Sequence, residues 1–87
     1  MNPIEKLEDT IELMTSDLYK DRFKGEYNQA VIRFEKLKKM LDTWDNDKES
    51  LGFAPPCPRT VYNLQIKAMA DYIASLEIRA SIENIEL

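Results

Sequence analysis

Apolar residues recur along this chain at intervals of three and four, the period of helices rather than of strands. Ile4, Leu7, Ile11 and Met14 form one narrow stripe, opened by Pro3, which suits a first helical position because it has no N–H to leave unpaired. Thr15, Ser16 and Asp17 then supply cap residues, so the chain either restarts a helix here or bends within one rod. From about Asp17 to Trp44 a longer seam runs through Tyr19, Phe23, Tyr27, Ala30, Phe34, Leu37, Leu41 and Trp44, spaced 4-4-3-4-3-4-3. Such a helix is roughly 40 Å long at ~1.5 Å per residue. Gly25 interrupts it at a cost of about 1 kcal/mol relative to Ala. Close approach of a partner backbone or a ligand is one reason to keep a glycine there; a harmless exposed glycine is the other.

The run from Asp45 to Cys57 breaks the pattern with Asn, Asp, Ser and Gly, and prolines at 55, 56 and 58 stiffen the return. Leu51 and Phe53 are expected to tuck over the helix ends. Cys57 takes the cap position and Pro58 the first helical one. A third stretch, about Pro58 to Ile85, carries the seam Tyr62, Ile66, Met69, Ile73, Leu76 and Ala80. Ala68, Tyr72, Ile78, Ile82 and Ile85 widen its apolar surface well beyond one stripe. The predicted fold is all-α: a short N-terminal helix plus a long antiparallel helical hairpin, one domain over residues 1–87. The surplus apolar face predicts a homo-oligomeric bundle, a dimer or tetramer.

Composition narrows the chemistry. There is no histidine, which removes the Ser–His and Cys–His mechanisms and the commonest zinc sites. Cys57 is the single cysteine, so no intrachain disulfide forms and a reducing interior is the expected setting. Two glycines build no phosphate-cradling loop. No apolar run is long enough for a membrane span or a signal-peptide core, and a cytoplasmic location is expected. The net charge of −4 argues against general nucleic-acid binding. Residues 16–44, with seven bases and five acids, are nevertheless positive, which leaves room for a local anion site.

Three constellations are candidates for chemistry. Tyr19, Arg22, Glu26, Gln29 and Arg33 share one face of the second helix at 3-4-3-4 spacing, flanked by Phe23 and Tyr27. Arginine forks grip phosphates and aromatic rings stack on bases, so the stripe reads as a nucleotide site. On the pattern alone it reads better as an Arg22–Glu26 ion pair with tyrosines at the core edge, the commoner arrangement. Gln65, Tyr72 and Arg79 lie one heptad apart on the third helix, beside Ala68 and Ser75. That stripe either admits a flat ligand or a partner helix, or forms a polar layer fixing register. Glu5/Glu8, Glu83/Glu86 and Asp42/Asp45 have the i, i+3 spacing with which all-α nucleoside triphosphate pyrophosphohydrolases hold Mg²⁺. Their places near chain ends and in a helix-terminal turn fit solubilising acids better. Cys57, at a helix N-terminus beside Arg59, is activated in principle, yet has no base or resolving thiol beside it. No enzyme activity, cofactor or metal is expected.

The run SDLYKDRFKGEYNQAVIRFEKLKKML, the loop FAPPCP and the tail LQIKAMADYIASLEIRASIENIEL resemble a family of short phage and prophage proteins related to a small crAss-like phage product. The resemblance covers nearly the whole chain and is most specific at Tyr19–Phe23, Cys57–Pro58 and the Leu76–Ile85 tail. It implies a phage origin and action inside the host bacterial cytoplasm. By analogy with other small helical phage proteins, it suggests a sponge that sequesters a cyclic dinucleotide or an ADP-ribose-type immune signal. The residues expected to hold that ligand are Tyr19, Arg22, Phe23, Glu26, Tyr27, Arg33, Gln65, Tyr72 and Arg79. The alternative is a helical interaction module that docks on a host or phage protein.

Overall fold

The computed structural model describes residues 5–87, so the expected helix start at Pro3 and Ile4 lies outside the described residues. A 3₁₀ turn at Leu7–Thr10 leads into the single α-turn α1, Ile11–Met14. The Asp9 carboxylate starts the 3₁₀ turn by accepting the Lys6 backbone N–H at 3.0 Å. Two long helices follow, α2 at Tyr19–Asn46 and α3 at Arg59–Glu83. A second 3₁₀ turn, Lys48–Leu51, lies between them and ends on Gly52 at φ +72°, a left-handed geometry that glycine adopts without strain. Among the described residues there is no strand.

The N-terminal segment is a restart and not a bend in one rod. The Ser16 hydroxyl accepts the Leu18 N–H at 3.1 Å and donates to the Asp21 carboxylate at 2.8 Å, while the Arg22 guanidinium donates to the Ser16 carbonyl at 2.8 Å. Polar groups on the first turn of α2 thus staple the bend, and α1 folds back against α2. Gly25 explains the fit. A Cβ built there would lie 2.7 Å from Met14 Cγ, 2.9 Å from the Met14 backbone nitrogen and 3.1 Å from Leu13 Cβ. The close approach anticipated at Gly25 is therefore made by the chain's own α1, which covers that position against any ligand.

α2 and α3 pack antiparallel through the two expected seams. Phe23, Leu76, Ala80 and Ile85 form the core cluster, with Tyr27 and Ala30 packed on it, and Leu41 is buried further along α2. The remaining seam residues between them, such as Phe34, Leu37, Ile66 and Ile73, are only half-buried, as two helices alone must leave them. Asn84 closes α3 in the left-handed conformation (φ 58°), and the Ile85 N–H returns to the Ala80 carbonyl at 2.9 Å. This helix stop folds Ile85 into the core, with 6% of its surface exposed.

The loop end is clamped by a cluster the sequence did not announce. Arg59 makes a two-pronged ion pair with Asp45, its second nitrogen 2.9 Å from Oδ2, and its guanidinium lies 5.3 Å over the Trp44 ring. Trp44 meets Tyr62 edge-on at 6.0 Å. Hydrogen bonds from Arg59 hold the Asp45 carboxyl below its usual range. Pro58 occupies the cap position, one residue later than Cys57, so Arg59 is the first helical residue. Phe53 does not tuck in: it is 56% exposed, while Leu51 is half-buried. No helix among the described residues is long and apolar enough to cross a membrane.

Candidate ligand-binding groove

The antiparallel register sets the two polar stripes side by side on one flank of the hairpin. At the end nearest the chain termini, the Tyr19 hydroxyl donates to Glu83 Oε1 at 2.6 Å and accepts from Arg79 at 3.0 Å. Arg79 also donates to Glu83 Oε2 at 3.3 Å, and its guanidinium lies 5.0 Å over the Phe23 ring. Tyr19 and Phe23 meet edge-on at 6.2 Å. One arginine thus has an aromatic floor, a carboxylate and a phenol around it. Hydrogen bonding to the Glu83 carboxylate raises the Tyr19 pKa, and the same bond lowers that of Glu83.

Further toward the loop, the flank opens into a groove of ≈ 160 Å³ lined by Glu26, Gln29, Ala30, Arg33, Met69 and Tyr72. Arg33 is exposed and has no ion-pair partner among the described residues, and Tyr72 is 44% exposed. A cationic fork and an aromatic face therefore flank an apolar floor of Ala30 and Met69, the pairing of groups that grips a phosphate and stacks a base. Ligand pockets for small molecules run to ~300–1,000 Å³, so this groove by itself seats only part of a nucleotide.

Six of the nine expected site residues meet on this flank: Tyr19, Phe23, Glu26, Arg33, Tyr72 and Arg79. Gln65 is exposed on α3, one heptad from Tyr72 toward the loop. Arg22 is directed to the Ser16 carbonyl, and no Arg22–Glu26 ion pair forms among the described residues. Tyr27 faces a different hollow of ≈ 250 Å³, where its hydroxyl donates to Glu77 at 2.9 Å. Burial and that contact raise its pKa. The i, i+3 acid pairs diverge in role, since Glu83 binds Tyr19 and Arg79 and Asp45 binds Arg59. Among the described residues no three carboxylate or thiol groups converge as a metal would require. Cys57 is exposed.

Glu83 and Met69 belong to the site, although the sequence offered Glu83 only as half of an acid pair with Glu86 and Met69 only as a seam residue. The signal lay in the hairpin itself: residues equidistant from the loop must face each other, which pairs the start of α2 with the end of α3.

A family model described as Sequestin matches residues 17–82. The match runs from the bend before α2 to the last turn of α3, most of the chain. The chain belongs to the Sequestin family. All nine candidate residues, and the whole groove, lie inside the Sequestin match, whereas α1 lies before it. Among curated proteins and solved structures, none matches the chain. The name of the Sequestin family is consistent with a sequestering role.

Proposed function

We propose that this protein binds and sequesters a nucleotide-derived host immune signal, of the cyclic dinucleotide or ADP-ribose type, without breaking any bond in it. The observation that carries the reading is the juxtaposition of Arg33, without an ion-pair partner among the described residues, and the exposed Tyr72 across the α2–α3 groove, within a chain of a family named for sequestration. Arg33 supplies the phosphate contact and Tyr72 the stacking face. Arg79 and Tyr19 continue the wall, with the buried Phe23 ring as the floor under Arg79, and Gln65 extends it toward the loop. The groove is too small for a whole nucleotide, which fits a homo-oligomer in which another copy completes the enclosure. Action inside an infected bacterial cell, as a phage product, is the setting that the resemblance of its sequence to short phage proteins supports.

A second reading, a helical interaction module for a host or phage protein, draws on the exposed apolar residues of α3. One experiment separates the two. The purified protein is incubated with a panel of cyclic dinucleotides and ADP-ribose-type messengers and its melting temperature is recorded; a true ligand raises it by mass action. The bound compound is then released by heating and must be recovered intact. No shift with any messenger, together with capture of a defined bacterial protein at fixed stoichiometry, favours the interaction module.

A further inference from the structure

We infer that the outward face of α3 pairs with the same face of a second copy of this chain, the two helices running antiparallel. Leu64, Ala68, Asp71, Ser75, Ile78 and Ile82 are spaced 4-3-4-3-4, the period of a helix-pairing seam. This is a second seam, distinct from the Tyr62–Ala80 seam that packs on α2. All six residues are exposed, and Leu64, Ile78 and Ile82 by 71%, 61% and 74%. Leu64 opens the row, Ile78 and Ile82 close it, and small or polar residues stand between them, so in an antiparallel pair each apolar end meets the apolar end of the other copy. A surface with that property is complementary to itself under a twofold axis.

The order of residues selects the direction. In the antiparallel register, Leu64 of one copy lies against Ile82 of the other, Ala68 against Ile78, and Asp71 against Ser75. Every layer then joins apolar with apolar or the acid with a hydroxyl. A parallel pairing opposes Asp71 to Asp71, and it also aligns the helix dipoles unfavourably.

Pairing has a consequence that rests on the groove reading above. Gln65, Tyr72 and Arg79 each follow a seam residue, so they flank the seam. Antiparallel pairing brings Tyr72 beside Tyr72 of the second copy, and Gln65 beside Arg79. The two grooves then share one wall, which supplies the enclosure that a single hairpin lacks.

The test needs no ligand. Sedimentation of the wild-type protein at micromolar concentration should give twice the 10.2 kDa chain mass. Leu64→Glu and Ile82→Glu, at positions outside the monomer core, should give monomers with unchanged helical circular dichroism. In a Cys57→Ser background, Leu64→Cys with Ile82→Cys should oxidise to a covalent dimer whose peptide map shows 64–82 links between copies. A monomeric wild type, or a dimer indifferent to both glutamates, overturns the pairing; 64–64 links overturn its direction. A dimer with the expected links that binds no messenger leaves this pairing intact and removes the groove reading instead.

Discussion

Tyr19 and Glu83, 64 residues apart in sequence, meet through a 2.6 Å hydrogen bond that fastens the first turn of α2 to the last turn of α3. The bond needs a neutral phenol and an ionised carboxylate. Both pKa shifts say so: Tyr19 is raised and Glu83 is lowered.

The pH dependence follows from those signs. A lowered carboxyl contributes stability that is present above its unfolded pKa, about 4.3, and is lost as pH falls through the folded value. A raised phenol contributes stability that is present below its unfolded pKa, about 10, and is lost as pH rises through the folded value. Tyr19→Phe should therefore lower the melting temperature at neutral pH, and its difference from wild type should shrink in both acid and strong alkali. A difference independent of pH would show that the bond is not what the phenol contributes.

Gly25→Ala sets two effects against each other. Alanine gains about 1 kcal/mol of helix propensity. Its Cβ, however, meets the Met14 backbone nitrogen at 2.9 Å, an atom that cannot swing aside. Overpacking of this kind costs about 1–3 kcal/mol, so a net loss of about 1 kcal/mol is expected in urea unfolding. A more stable variant would mean that α1 does not dock across Gly25.

Leu76 is fully buried between the helices. Leu76→Ala should cost about 2–5 kcal/mol, a large share of the ~5–15 kcal/mol that holds a small domain together. Leu64→Ala, on the exposed side of the same helix, should change stability by less than about 0.5 kcal/mol when both variants are made in the monomeric Ile82→Glu background. Denaturant midpoints of the two variants check the contrast.

The hairpin was legible in the sequence because the 3/4 spacing of both seams and the proline-rich break between them admit little else. What spacing does not encode is which groups meet across the helices. Arg22 and Glu26 stand at ion-pair spacing, yet the bend at Ser16 offers Arg22 a carbonyl, and a contact fixed by a turn is invisible to helical periodicity. Tyr27 belongs to the same seam as Tyr19 but is rotated toward Glu77, away from the groove. Gly25 announced a close approach without saying by what. Glu83 looked like half of an acid pair with Glu86, since its true partners come from both helices at one end of the hairpin. The site was therefore readable as two stripes, and its groove only from their register.

The central claim is that Arg33 and the groove it borders hold a nucleotide-derived signal. Calorimetric titration of a messenger found by the thermal screen into wild type and Arg33→Ala tests it most directly. A charge-assisted contact is worth about 1.5–3 kcal/mol, so the variant should bind at least tenfold more weakly while keeping its helical spectrum and its mass. Equal affinity of the two proteins, or the failure of every messenger in the panel to bind wild type, would contradict it.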